Sequence, residues 1–519
     1  MRRSGKYPSA GMALAGAAIA GTALSGCAAG PSIPPDYAVA GQAQGSTATP
    51  TTTAPPPPPQ AGVPQQQPRW RPCRTDPAAG LPPGPDGLVI ECATITGPLD
   101  PATSQSDVGI DLTRARTAAT PQDAAPLVLM AGSDQSSRSA LAGLATGTGG
   151  AVVDARPVVA VDRRGTGPST DPACFAGTDA ADLTAAGRGG DPVARAQSMM
   201  DTVNRVTVSC TDVLRPAVDA FDAVHAASDI DTLRNYWGVD KIALLTLGDA
   251  SDVALAYQAN VPGHLARLVM DSPGPLRVDA ATTAERRAQA DQAALARFVS
   301  DCTSTGCAAG PDPARTLNTL LDSAEMGLIR GVSSGSVLTV VRRTLADSAL
   351  PWDQRVARLG ELIDGAARGD VDTLHVFADA QAVTSGGFVA QCSDAPPPAT
   401  PDQSHTAQSD WAGKYPVFGA DAAVRMLTCA SWPSHQEPDL PEGFDVPVLL
   451  FSGAADTVVG SGAVDSVTAA IARTGSPAST VTWEGVGHGA LWGSGCAVEQ
   501  LDRYLDDAAI PPGGTACPV

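Results

Sequence analysis

A chain of 519 residues with 43% hydrophobic content is long enough to bury a large core, as one big domain or two to three smaller ones. Its 54 acidic and 34 basic residues give a formal net charge of −20, with only three lysines, Lys6, Lys241 and Lys414. Such a surface repels nucleic acid and anionic lipid headgroups, which excludes both as direct partners of the folded body.

The first segment, residues 1–27, has a basic start (Arg2, Arg3, Lys6) followed by an Ala-rich apolar stretch too short and weak to span a bilayer, the pattern of an export signal. It ends in Leu24-Ser25-Gly26-Cys27, which resembles a bacterial lipobox. That resemblance implies lipidation of Cys27 and an anchor on the outer face of the cell membrane. Residues 28–68, including "TTTAPPPPPQ", lack apolar periodicity and read as a disordered Pro/Thr/Gln-rich tether. As polyproline II at roughly 3.1 Å per residue, it reaches on the order of 100 Å.

From Trp70 onward, short Val- and Leu-rich runs bounded by Gly, Asp or Pro alternate with longer amphipathic stretches, an α/β pattern. "APLVLMAG" (125–132), "PVVAVDRRG" (157–165), "DKIALLTLG" (240–248), "LARLVMDS" (265–272) and "VPVLLFSG" (446–453) predict buried parallel strands. Helices such as 194–214 and 255–260 are expected between them. Strand signals vanish from about Arg277 to Ala382 and later resume, so residues 69–276 and 441–519 read as two parts of one sheet domain and residues 277–440 as an inserted helical cap.

Setting Cys27 aside leaves ten of the eleven cysteines, an even number in an exported chain. Neighbour pairing is the simplest arrangement: Cys73–Cys92, Cys174–Cys210, Cys302–Cys307, Cys392–Cys429 and Cys496–Cys517. No second Cys/His pair at ligand spacing lies near Cys302 and Cys307, and His225, His264, His375, His405 and His435 show no such spacing either. Neither a metal nor another cofactor is expected.

Near the C-terminus, Asp456 follows one predicted strand and His488 lies on the Gly-rich loop after the next, "EGVGHGA". Acid then histidine, on loops after successive strands, is the order found downstream of an α/β-hydrolase nucleophile. Trp483 and Trp492 flank this histidine as core or pocket wall.

Several motifs, among them "RWRPC", "ECATI", "VDRRGTGPST", "HLARLVMDSPG", "TCASWP", "VLLFSGAADTVV" and "GVGHGALWGSGC", make the chain from about Trp70 to its end resemble secreted tripeptidyl-aminopeptidase-like α/β-hydrolases. The resemblance implies a mostly parallel sheet flanked by helices, a helical cap, and a Ser-His-Asp exopeptidase or esterase. It also implies a capped pocket for a peptide, acyl-ester or cell-wall ligand. The family's nucleophile elbow reads close to G-T-S-Y-G-G. Counting back from Pro262 by the family's spacing lands on Gly248, within Thr246-Leu247-Gly248-Asp249-Ala250, so the apex has no hydroxyl.

Glycine enters the strained apex conformation without a Cβ clash, so this substitution keeps the turn and removes the nucleophile. The family's Gly-rich oxyanion loop corresponds here to Ala131-Gly132-Ser133-Asp134, and the other oxyanion amide belongs to Asp249. Two carboxylates near a developing negative charge oppose the transition state. Displaced nucleophiles remain open: Ser251, which moves the elbow into the helix; Asp249, which puts Leu247 where a small residue is needed; or another Ser or a water recruited by Asp456 and His488. The expected function is a lipid-anchored envelope protein that binds a ligand or partner, with an active hydrolase as the alternative.

Overall fold

The computed structural model describes residues 57–102, 106–167, 171–434 and 437–519. The export signal, Cys27 and most of the tether lie outside the described residues, as does His435. No described helix is long and apolar enough to cross a membrane.

Ten strands form one sheet among the described residues. They are β1 (Arg71–Pro72), β2 (Val89–Pro98), β3 (Asp107–Arg116), β4 (Leu127–Met130), β5 (Val158–Val161), β6 (Ile242–Leu247), β7 (Leu265–Asp271), β8 (Val448–Ala455), β9 (Ala478–Val486) and β10 (Thr515–Cys517). Their order is β1-β2-β3-β5-β4-β6-β7-β8-β9-β10. The β1/β2, β2/β3 and β3/β5 pairs are antiparallel and every other pair is parallel. The apolar runs read as strands occupy the centre of this sheet, where β4, β5, β6 and β7 are buried at every position. Such continuous burial is what a parallel sheet covered on both faces requires. The long antiparallel hairpin of β2 and β3 was not predicted; its polar and apolar residues are interleaved and only partly buried. The topology, with helices on both faces, is that of the α/β-hydrolase fold.

Among the described residues eight helices lie between β7 and β8, from Ala280–Thr305 to Gly419–Arg425, where the cap was expected. Asp279 caps the first by accepting the N–H of Thr282, and Gly306 ends it at φ +70°. The helix Pro192–Leu214, expected between two strands and found between β5 and β6, packs with the cap. Its Met199, Val203 and Val206 share one apolar cluster with Phe388, Trp411 and Trp432. All five neighbour disulfides are formed.

Residues 57–67, read as the end of the tether, are held on the body. Gly62 and Gln65 donate to the carbonyls of Lys241 and Trp237 at 2.9 and 2.8 Å, and Arg267 donates to that of Pro59 at 2.6 Å. Composition carries no trace of these bonds, because they use backbone groups that any residue offers.

Candidate active site

The sharp turn between β6 and the helix Ser251–Asn260 is built on Gly248, which sits at φ +67°. This is the left-handed region that side chains rarely adopt. A Cβ placed on Gly248 would stand 3.2 Å from His488 Nε2 and 3.4 Å from its Cε1. Gly248 is therefore the residue at the apex facing the histidine. Ser251 is the first residue of the helix and fully buried, with an Oγ that has no partner.

Asp456 follows β8 and His488 follows β9, as the sequence order suggested. His488 Nδ1 lies 2.9 and 3.1 Å from the two Asp456 oxygens, and Asp456 also accepts the amides of Val458 and Val459 at 2.8 and 3.1 Å. The pair is buried, with the two residues 6% and 2% exposed, and His488 Nε2 faces the Gly248 apex without a partner. Burial works against the charge on His488. Asp456 outweighs it, with Asp134 and Asp271 adding to the effect, and the imidazole is raised to about 9. Burial likewise disfavours the Asp456 carboxylate, yet the histidine keeps it below its usual range.

At the loop where the resemblance expects an oxyanion cradle, the Asp249 carboxylate is bonded to Ser133. Oδ1 accepts the backbone N–H of Ser133 at 2.7 Å, and Oδ2 accepts the Ser133 hydroxyl. Gly132 is pressed against this carboxylate so closely that a Cβ there would overlap Asp249 Oδ1. Asp134, next in the loop, is tied to the cap, since Arg343 donates to its side chain at 3.0 Å and to its carbonyl at 3.1 Å.

Two groups not singled out by the sequence reading hold the histidine loop. Asp271, at the end of β7, accepts the amides of Ala490 and Leu491 at 2.9 and 2.8 Å, and Ser272 Oγ accepts that of Gly489 at 3.1 Å. Their only signal was the "MDSPG" stretch. From the cap, the carbonyl of Ala346 accepts the His488 amide at 2.9 Å, and Arg355 donates to the carbonyls of Leu345 and Val486, both at 2.7 Å. The cap is thus bolted beside the histidine. A cavity of about 380 Å³ opens next to Asp456, but neither Gly248 nor His488 lines it.

In the "VDRRGTGPST" turn, Arg163 pairs with Asp394 and Arg164 with Asp229, all four side chains buried, so the motif joins core to cap. Among the described residues no cluster of His, Cys, Asp or Glu is suited to a metal ion.

The family model described as TAP-like protein matches residues 415–517. The chain is 26% identical over 332 residues to the serine protease Hip1 of Mycobacterium bovis and of Mycobacterium tuberculosis, a match covering 57% of this chain and 61% of those proteins. It therefore spans less than two thirds of these relatives. Similar solved structures include esterase E22, at 12% identity over 80% of this chain and 100% of that one with a TM-score of 0.40. A hydrolase from Pseudomonas aeruginosa PA01 is similar at 16% identity over 80% and 96%, with a TM-score of 0.32. With Asp456 and His488 both inside the matched stretch, residues 415–517 form a TAP-like region on an α/β-hydrolase fold.

Proposed function

We propose that this chain is an exported, lipid-anchored member of the tripeptidyl-aminopeptidase-like hydrolases that has lost ordinary serine hydrolysis. In this reading it serves in the cell envelope as a binding protein for a peptide, acyl-ester or cell-wall ligand, or for a partner protein. The observation that carries the reading is the Asp249 carboxylate seated on the Ser133 amide beside an apex, Gly248, that has no hydroxyl. A missing nucleophile removes the covalent step, and an anion already in the cradle opposes a second one forming there. Ten cysteines paired in five disulfides support an oxidising compartment.

The alternative, a hydrolase with a displaced nucleophile, is favoured by the retained Asp456–His488 pair with its free Nε2. Fluorophosphonate labelling followed by peptide mapping separates the two. The binding-protein reading expects no adduct, whereas a label on Ser133, Ser251 or any other Ser that disappears in His488→Ala overturns it. For the anchor, Cys27→Ala is expected to move the protein from the detergent phase to the aqueous phase in a Triton X-114 partition; an unchanged partition refutes lipidation at that residue.

A further inference from the structure

Residues of both cap and core line a further cavity of about 530 Å³. Gly248, Asp456 and His488 do not line it, although Val486, two residues before the histidine, does. Three indoles form its walls: Trp352 from the cap helix Trp352–Ala367, Trp483 from β9, and Trp492 from the short helix Ala490–Gly493. Arg355 and Arg297 also line it, with their guanidinium carbons 5.0 and 5.9 Å from the Trp352 ring centre. The volume falls in the roughly 300–1,000 Å³ range of small-molecule sites.

Arg355 is the unusual member. It is only 2% exposed, its Nη1 is spent on two backbone carbonyls, and its Nε has no acceptor. Arg163, Arg164 and Arg342 each hold a carboxylate, whereas Arg355 has no ion pair among the described residues. Burial pushes its guanidinium down to about 10, with Asp347 alone acting against this at longer range. Trp483 Nε1 also lacks an acceptor. A buried cation without a counter-ion is costly, and an anion entering the cavity relieves that cost while its apolar part is taken up by the indoles.

We propose that this cavity binds a small amphipathic anion, an aromatic or aliphatic carboxylate, with its apolar body among Trp352, Trp483 and Trp492 and its head paired to Arg355. The site is separate from the Gly248 apex and stands whatever becomes of the reading of that apex.

The probes are 1-anilinonaphthalene-8-sulfonate, an aromatic anion, and the uncharged N-phenyl-1-naphthylamine, titrated into the full chain with tryptophan excitation. The expected result is one anionic probe per chain, lit by energy transfer, bound more tightly than the neutral probe, and displaced by 2-naphthoate but not by 2-naphthamide. Arg355→Met is expected to weaken the anion about tenfold, about 1.4 kcal/mol, while the neutral probe stays within about twofold. Trp352→Ala, which keeps the Arg355 bonds to the backbone, is expected to weaken both probes alike. Should Arg355→Met not fold, the wild-type preference for the anion and the Trp352→Ala losses decide the matter. No anion preference, displacement by the amide as well as the acid, equal losses of both probes in Arg355→Met, or unchanged binding in Trp352→Ala each overturn the proposal.

Discussion

Gly248→Ser puts a hydroxyl back at the apex. With a Cβ 3.2 Å from His488 Nε2, the Oγ one bond further out comes within hydrogen-bond reach of the histidine. Holding a non-glycine residue at φ +67° costs about 1–2 kcal/mol, which the chain can bear and still fold. In the proposed reading activity also needs the Ser133 amide as an oxyanion donor, and that amide is bonded at 2.7 Å to the Asp249 carboxylate. Losing one oxyanion donor lowers kcat by ~10²–10³, or ~3–4 kcal/mol, and here the donor is lost to a group of the same charge as the intermediate. Gly248→Ser alone is therefore expected to hydrolyse p-nitrophenyl butyrate at no more than ~1/100 of the rate of Gly248→Ser/Asp249→Ala, with the same ranking in fluorophosphonate labelling. Thermal melts confirm folding of both variants, and His488→Ala in the double variant is the background control. A single variant within about threefold of the double, or a folded double variant no faster than wild type, refutes the claim that the seated carboxylate blocks the cradle.

The same double variant has a pH signature: His488, raised to about 9, must lose its proton to act as a base, so kcat/KM is expected to climb as pH approaches 9, and a plateau already at pH 7 refutes the assignment. In the wild type, burial lifts Asp162 and Asp291 from 3.8 to about 7, and Asp271 and Asp394 to about 6. Burial penalises the ionised form of these carboxyls, so each costs stability increasingly as pH rises from 3.8 to those values. His488, raised from 6.5, contributes roughly 3 kcal/mol that is full below 6.5 and lost through about 9. Both act in the same direction, so the melting temperature is expected to fall between pH 5 and 9, and a higher value at pH 8 than at pH 5.5 contradicts this. Asp421 is fully buried and bridges Arg342 and Arg425 at 2.6 and 2.9 Å. Asp421→Ala leaves two cap cations without their acid and is expected to cost ~3–5 kcal/mol in urea unfolding; a loss under about 1 kcal/mol shows the pair to be dispensable.

Much of this arrangement was written locally. Leu- and Val-rich runs marked the central strands because a parallel sheet buries both faces of each strand. The cysteines could be paired as sequence neighbours, and all five such pairs form. The strand-Asp and strand-His order brought Asp456 to His488, and the spacing taken from the resembled family placed at the turn the residue, Gly248, that faces the histidine. That the residue at this turn is a glycine is one letter of the sequence, once the resemblance has fixed the register.

What only the tertiary structure decided are the meetings between segments far apart in the chain. Asp249 and Ser133 are 116 residues apart, and nothing in either loop's composition says that the carboxylate turns inward and takes the amide. Asp271 and Ser272 hold a loop more than 200 residues away. The helix Pro192–Leu214 joins the cap because its apolar stripe finds Phe388 and Trp411 there; amphipathicity specifies that a face is buried and leaves open against what. Arg355, a charged letter on an amphipathic helix, reads as surface until the cap closes on the core. Local patterning determines which residues go inside and where turns fall, while side-chain direction and the pairing of buried charge follow from how the packed layers approach one another.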